Sequence, residues 1–448
     1  MGRILSKQDL SVLPLRWSAT AGLADLDLFG FLDNSFNSDF IHAALRKLAD
    51  PKLSRPLAAY VHLPFCASRC HACTRQSQVS GFGRDIDHYL DHLEIEAKLI
   101  RNQTARPLAV RKIQVGGGTP NLMREDQLAR LCDVLSNLFV TDDNTEQTIE
   151  IHPAKTSESQ LQLLAGLGFN SIIFQLRDTN TSVQNEMSRR VSLSVVADAF
   201  RAARHAGFQE IASDFVFGLP GQTVQSVRES ATDIATVLNP DRIYGYSFSK
   251  LKRYSAHQRA LVSDRIPSVA DRLVLFHALS STLKKLGYQE LGIDSFARPG
   301  DRFLDAQAQS TLSRDWTGFS IGSSANVLGI GSHSVSEIDT ICYQNEPNIG
   351  QWQTRLANGD FPVRGGRVLD HATKRDRDTL TLLTCSADPT EYAKRQNMLS
   401  SLNVMKSFFP TSDSNTEDCN ALSTAHFNFD RSELNLLLET ITHSELAE

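Results

Sequence analysis

Three cysteines, Cys66, Cys70 and Cys73, form a C-x3-C-x2-C pattern inside Tyr60-Val-His-Leu-Pro-Phe-Cys-Ala-Ser-Arg-Cys-His-Ala-Cys73. Thiolates this close together suit an iron–sulfur cluster held at three corners. Fully ligated clusters take four cysteines, so three leave one iron open to chemistry. The same residues admit a second reading, a zinc ion with His71 as fourth ligand, although zinc sites more often show two separated ligand pairs. Cys132, Cys342, Cys385 and Cys419 are scattered. Their spacing is not a disulfide framework, and Cys132 falls on the apolar stripe of a predicted helix as a small hydrophobe.

Glycine and polar features follow the cysteines in series. Gly116-Gly117-Gly118-Thr119-Pro120 is either a plain turn or a place where backbone approaches a ligand without an intervening Cβ. Glu150, then Gln175 with Arg177, then Asp214 ahead of Gly218-Leu-Pro-Gly-Gln222, then Ser249 and Lys250 continue the series. Taken alone, Glu150 or Asp214 reads as a buried acid satisfied by backbone donors. Arg189, or the group Lys250, Lys252 and Arg253, reads as solvated charge. Together and in this order they read as the lining of one ligand site.

The elements that must position these residues alternate in type from about residue 58 to 250. Strand-like runs occur at Ala59–Leu63, Lys112–Val115, Thr148–Ile151, Ser171–Phe174, Ile211–Phe217 and Arg242–Phe248. Amphipathic helices separate them, one carrying Ile86, Tyr89, Leu90, Leu93, Ala97 and Ile100 at helical spacing. Ser157 and Gln160 suggest a capping box. Such alternation implies parallel strands joined by right-handed crossovers. The expected fold class is α/β, a partial (β/α)6 TIM-like barrel with a smaller, mostly helical C-terminal domain. Each polar or glycine feature falls at or near the C-terminal end of a predicted strand, where parallel barrels carry their active sites. The expected divisions are an N-terminal arm over 1–57, the barrel over 58–255, a barrel extension with substrate-side elements over 256–364, and the helical domain over 365–448.

Composition narrows the function classes. The chain has 448 residues, 41% of them hydrophobic, and a net charge of −5. No long basic run is present, which argues against binding nucleic acid through its phosphates. No apolar run reaches the roughly 18 residues of a membrane span. No signal peptide is visible, and the expected location is the cytosol. Met1-Gly2-Arg3-Ile4-Leu5-Ser6 matches a loose myristoylation pattern that chance often produces.

The cysteine loop after one strand and Gly-Gly-Gly-Thr-Pro after the next resemble the radical S-adenosylmethionine (SAM) superfamily. More narrowly, the chain resembles the oxygen-independent coproporphyrinogen III oxidase (dehydrogenase) family over roughly residues 55 to 345. The resemblance rests on Tyr60–Cys66, Gly116–Pro120, Ile149-Glu-Ile-His-Pro153, Phe217-Gly-Leu-Pro-Gly-Gln-Thr223, Asn239-Pro-Asp-Arg242 and Asp294-Ser-Phe-Ala-Arg-Pro299, supported by Leu328-Gly-Ile-Gly-Ser332.

The resemblance implies that Cys66, Cys70 and Cys73 ligate a [4Fe-4S] cluster whose open iron is chelated by SAM. One electron then cleaves the sulfonium to a 5′-deoxyadenosyl radical, which takes hydrogen from a substrate propionate. Carbon dioxide leaves and a vinyl group forms, twice over, converting coproporphyrinogen III to protoporphyrinogen IX in haem biosynthesis. By match, Tyr60, Gly117 and Glu150 contact the cluster-bound SAM. Gly118, Thr119, Arg189 and Asp214 contact a second SAM, with Ser249 and Val335 at two further matching positions. Arg298 is the candidate partner for a substrate carboxylate, since its planar fork suits one. The expected partners are a porphyrinogen-type substrate and an electron donor such as a flavodoxin or ferredoxin, with the chain acting as a monomer.

The chain departs from the family at several positions. Ala72 replaces an aromatic residue before the third cysteine, Arg75 a fourth nearby cysteine, Arg177 a Gln and His152 an Asp. The family's Arg-Tyr-Thr-Ser-Tyr-Pro survives only as Arg16-Trp17-Ser18-Ala19-Thr20-Ala21. The chain therefore reads as a divergent paralogue. The alternatives are another porphyrin- or haem-modifying radical enzyme, or a non-catalytic haem carrier of the same fold.

Overall fold

The structure is a computed structural model. It describes residues 36–370 apart from 51–54, 72, 74–77, 80–82, 249–257, 259–260, 262–264, 293, 316 and 324, together with 374 and 385. Ala72, Arg75, Ser249, Lys250, Lys252, Arg253 and the Arg16–Ala21 stretch lie outside these residues, as does nearly all of the expected C-terminal domain.

In chain order the elements used below are α1 (Ser38–Ala49), β1 (Leu57–Leu63), α2 (Gly83–Thr104), β2 (Lys112–Gly117), α3 (Glu125–Leu138), β3 (Glu146–Ile151), α4 (Glu158–Gly166), β4 (Ser171–Arg177), α5 (Leu193–His205), β5 (Glu210–Phe217), α6 (Val224–Asp233) and β6 (Arg242–Ser247). They continue as α7 (Val269–Lys285), β7 (Gln289–Leu291), β8 (Ser295–Ala297), α8 (Arg302–Ala308), β9 (Leu312–Asp315), β10 (Gly318–Ile321), β11 (Asn326–Ile330), β12 (Val335–Ile338), β13 (Ile341–Asn345), α9 (Ile349–Ala357) and β14 (Val363–Val368).

Strands β1 to β6 lie side by side in chain order and are all parallel. This is the partial (β/α)6 barrel. β11 joins parallel to β1 on one side, and β8 pairs antiparallel to β6 on the other. Beyond β11 the sheet continues through β12, β13 and β14 as an antiparallel meander. The boundary expected at residue 365 is corrected by this pairing, because β14 crosses it and joins Gly365–Val368 to the main sheet. Part of the expected arm also belongs to the body. Ile41, Ala44, Leu45 and Leu48 of α1 are buried in the main core, and Lys47 pairs with Asp339 at 2.6 Å.

Alternate residues of the barrel strands do different work, as the period of two requires. Ala59, Val61, Ile113, Val115, Ile149, Ile151, Ile172, Phe174, Ile211 and Phe215 belong to the apolar core that the helices share. The intervening residues are mostly polar. At the N-terminal end, the first residues of four strands enter one buried charge layer. Lys112 and Arg302 pair with Glu146 at 3.2 and 2.8 Å, and Arg242 pairs with Glu210 and Asp301, each at 2.7 Å. The hairpin β9–β10 seals this end, where Lys112 Nζ donates to the carbonyls of Thr317 and Phe319 at 2.9 and 3.2 Å. Charges buried this way persist only when paired. The layer thus closes one mouth and leaves the chemistry to the other.

Helix starts follow capping chemistry. Ser157 accepts from the Gln160 amide at 3.2 Å to open α4. The Gln160 side chain does not complete the box. It donates instead to the carbonyls of Asn121 and Met123 at 3.2 and 3.0 Å, fastening α4 to the segment after the glycine loop.

Candidate functional site

The C-terminal mouth is assembled around the end of β1. There the chain runs through Leu63-Pro64 into Phe65–Cys66, a two-residue strand paired with Gln78–Val79. Leu63 lies beside Gly117 at the end of β2. The glycine loop is then zipped onto the cysteine segment: Gly118 N donates to Leu63 O and Thr119 N to Phe65 O, both at 2.7 Å.

This contact explains the three glycines in a way the sequence did not reveal. A Cβ on Gly116 would meet Glu150 Oε1 at 2.5 Å and Tyr60 Oη at 3.1 Å. One on Gly117, whose φ is +109°, would meet the His62 ring at 2.8 Å, and one on Gly118 would strike the Phe65 carbonyl. The missing side chains make room for the protein's own carboxylate, phenol, imidazole and backbone.

Glu150 stands at the centre of this arrangement, buried near the end of β3. Gln114 Nε2 donates to its Oε1 at 2.9 Å and Gln175 Nε2 to its Oε2 at 3.0 Å. Gln175 also donates to the Gly118 carbonyl at 3.1 Å. Two amides from neighbouring strands therefore hold the carboxylate in place. Gln114 escaped the sequence reading, although a glutamine inside the apolar run Lys112–Val115 was the signal. His62, fully buried, with its Nδ1 3.5 Å from Tyr60 Oη, was missed as well.

The cysteines lie in a loop braced by backbone bonds. Cys73 N donates to Cys70 O at 3.1 Å, and His71 N to Met187 O at 3.0 Å. Thr119 Oγ1 lies 3.7 Å from Cys66 Sγ. Arg189 is half-buried, and its guanidinium donates to the Gln175 carbonyl. Burial pulls it below the usual guanidinium range, while the Cys70 and Cys66 sulfurs act in the opposite sense. Thiolate is the form of cysteine that ligates metal. His71 turns its Nδ1 to the Glu186 carbonyl at 3.0 Å. Among the described residues, no three His, Cys, Asp or Glu side chains gather as they would around a single ion.

Asp214, on β5, accepts from Arg177 twice, Oδ1 from the backbone N–H at 2.8 Å and Oδ2 from Nη1 at 2.6 Å. Arg177 has a left-handed backbone (φ 73°), beside a register shift between β4 and β5. Val335 is buried at the start of β12, next to Gly329, which pairs with Tyr60. Ser249 lies outside the described residues.

The placement of Arg298 requires a correction. It follows β8, whose last residue, Ala297, pairs with Arg242 at the start of β6. Its backbone N–H donates to Asp241 O at 3.0 Å, and the residue is exposed. Because β8 runs antiparallel, its C-terminal end lies at the charge-layer end of the barrel, opposite the cysteines. The same stretch brings Asp294 inside instead, buried, with a left-handed backbone (φ 74°) and Arg314 at 3.4 Å.

The comparisons with known proteins agree with this geometry. The family model for the radical SAM superfamily matches residues 60–234. The oxygen-independent coproporphyrinogen III oxidase of Pseudomonas aeruginosa is 30% identical over 336 residues, covering 75% of this chain and 73% of that protein. The Escherichia coli protein of the same name is 29% identical over 351 residues, covering 78% and 76%. The solved structure of coproporphyrinogen III oxidase from Escherichia coli, described as a radical SAM enzyme, superposes with a TM-score of 0.75 at 25% identity, covering 89% of this chain and 94% of that one. The chain belongs to the oxygen-independent coproporphyrinogen III oxidase family of radical SAM enzymes, whose cofactors are a [4Fe-4S] cluster and SAM.

Proposed function

We propose that this enzyme decarboxylates propionate side chains of coproporphyrinogen III to vinyl groups without oxygen, yielding protoporphyrinogen IX. The observation that carries this reading is the cysteine loop at the end of β1, backed by the glycine loop and Glu150, in a fold that matches a coproporphyrinogen III oxidase over most of both chains. When bound, the cluster and SAM supply one-electron sulfonium cleavage and a radical that abstracts hydrogen.

The chain's own residues hold and orient. Cys66, Cys70 and Cys73 would ligate the cluster. Tyr60, Gly117 and Glu150 line the ground beside its open corner, with Glu150 as an acceptor for ribose hydroxyls. Gly118, Thr119, Arg189, Asp214 and Val335 line the adjoining part of the mouth. At the far end of the barrel the paired charges of Lys112, Glu146, Glu210 and Arg242 fill the space between the strands. In the substrate, loss of a hydrogen atom from the propionate β-carbon is followed by breakage of the bond to the carboxylate carbon. Carbon dioxide and one electron leave, and the electron passes to a one-electron acceptor.

A monomeric cytosolic enzyme fed by a flavodoxin- or ferredoxin-type donor fits this chemistry. Among the described residues no helix is long and apolar enough to cross a membrane. A second reading, another radical modification of a porphyrin such as methyl transfer, gains support from the Arg177–Asp214 pair, which occupies the carboxylate expected to meet a second SAM. Product mass separates the two readings. Reconstituted enzyme given coproporphyrinogen III, SAM and reductant without oxygen yields a product lighter by carbon dioxide and hydrogen under the first reading. A product heavier by a methyl group contradicts it.

A further inference from the structure

The cysteine loop leaves the end of β1 and is met by chain that follows β6. These two strands stand at opposite ends of the six-strand run, with β2 to β5 between them. Between β6 and α7 the described residues are Phe248, Gln258, Leu261 and 265–268. Gln258 is fully buried, and its Nε2 donates to the Cys73 carbonyl at 3.2 Å. Leu261 N donates to Gln258 O at 3.1 Å, so the two residues share one turn. The Leu261 side chain enters an apolar cluster with Met187 after β4, Val216 and Leu219 around the end of β5, and Phe248 after β6. Cys70 packs against the same cluster. Farther along, Arg265 pairs with the Glu186 carboxylate, while the Glu186 carbonyl lies 3.0 Å from His71 Nδ1. Glu186 thus meets the cysteine loop through its backbone and the later segment through its side chain.

A buried side-chain amide is found where its hydrogen bonds are met. Gln258 finds its acceptor in the backbone of the third cysteine, 185 residues away in the chain. That bond fixes the direction of the Cys73 carbonyl and so constrains the residue that bears the thiol. Leu261 and its neighbours constrain Cys70 by packing. Metal sites depend on the groups that orient the ligands as well as on the ligands themselves. Resting on the cluster ligation proposed above, we infer that Gln258 and Leu261 are positioning residues for Cys73 and Cys70, brought to the cysteine loop from the opposite end of the strand run. Each acts through a cysteine. Leu261 also adds to the apolar surroundings of the Cys70 side, and solvent exposure is one of the factors that set an iron–sulfur reduction potential.

The test uses the full chain, reconstituted anaerobically with iron and sulfide and without porphyrin. Wild type is compared with Gln258→Met, which keeps the length and loses the donor, with Leu261→Ala, and with the volume-conserving Leu261→Met. Iron loss to a competing chelator, the midpoint potential of the cluster and the Tm of the apo protein are read. Gln258→Met and Leu261→Ala should lose iron about 10-fold more readily than wild type, the effect usual for groups that orient metal ligands. Leu261→Ala should also shift the potential upward, because water stabilises the negative charge added on reduction. Leu261→Met should stay within a few-fold of wild type. Wild-type iron retention and potential in both Gln258→Met and Leu261→Ala overturn the inference. A lowered apo Tm without those changes overturns it too, since the two residues are then ordinary core. If Gln258→Met does not fold, the Leu261 pair decides: readier iron loss from Leu261→Ala than from Leu261→Met supports the inference, and equal loss overturns it. Wild type that takes up no iron refutes the cluster ligation and the inference with it. If the variants behave as expected while wild type forms no vinyl porphyrin, the proposed activity fails and the positioning stands.

Discussion

Glu150 shows how a buried charge can be kept ready for a ligand. Gln114 and Gln175 each donate one amide bond to it, which fixes the carboxylate in place. Each carboxylate oxygen can accept more than one hydrogen bond, so the amide bonds leave room for ribose hydroxyls. Glu150→Gln is isosteric but turns an acceptor into a donor facing two glutamine amides. The variant should keep its iron and lose SAM affinity by ~10-fold or more, as expected for charge-assisted bonds worth about 1.5–3 kcal/mol. Dialysis with labelled SAM checks this, and unchanged affinity removes Glu150 from the site. Glu150 was legible in the sequence because it stood in order with the cysteines and the glycines. Arg298 was misplaced because nothing in Asp294–Pro299 records that its strand runs antiparallel. Direction decides which mouth a strand-end residue serves.

At the scale of elements, the glycine loop and the cysteine segment act as one unit. Gly118→Ala would drive a methyl into the Phe65 carbonyl, a backbone atom that cannot swing aside. The expected cost is about 1–3 kcal/mol, read as a lowered Tm, together with reduced iron loading. An alanine variant with wild-type Tm would refute the close packing. The sequence placed these glycines correctly at a strand end, but which atoms occupy the space above them depends on the register of β1, β2 and β3.

A second joint ties α2 to the turn between β11 and β12. Glu96 is fully buried, accepts from Gly331 N at 2.8 Å and from Asn345 Nδ2 at 2.6 Å, and is pushed up to about 7, chiefly by burial. An acid whose folded value lies above its ordinary 4.5 binds more protons folded than unfolded between those limits. Its contribution to stability is therefore present at low pH and is lost as pH rises through about 4.5 to about 7. The loss is on the order of 3 kcal/mol at most. Thermal unfolding across that range should show the decline for wild type, and Glu96→Gln should flatten it. Parallel curves for the two proteins would deny Glu96 this role.

Among the described residues the six parallel strands form a partial barrel, with paired charges at one end and the cysteines at the other. The six parallel strands were legible because each outward face is strongly apolar and each strand ends on glycine, proline or polar residues. The antiparallel extension was not, since β7 to β10 are only three or four residues long and carry little periodicity. Nor was the path of β14 across residue 365, because a strand completing a distant meander is recruited by its partner β13 rather than by its own pattern. We propose that the molecule works as a whole, with a cluster held by Cys66, Cys70 and Cys73 driving vinyl formation on a porphyrinogen. Anaerobic turnover of coproporphyrinogen III by reconstituted wild type and by Cys70→Ser tests it, with 5′-deoxyadenosine and porphyrin products followed together. Wild type should form 5′-deoxyadenosine in step with vinyl porphyrin, and Cys70→Ser should form neither. Sustained 5′-deoxyadenosine with no vinyl product, or vinyl product from Cys70→Ser, would contradict the account.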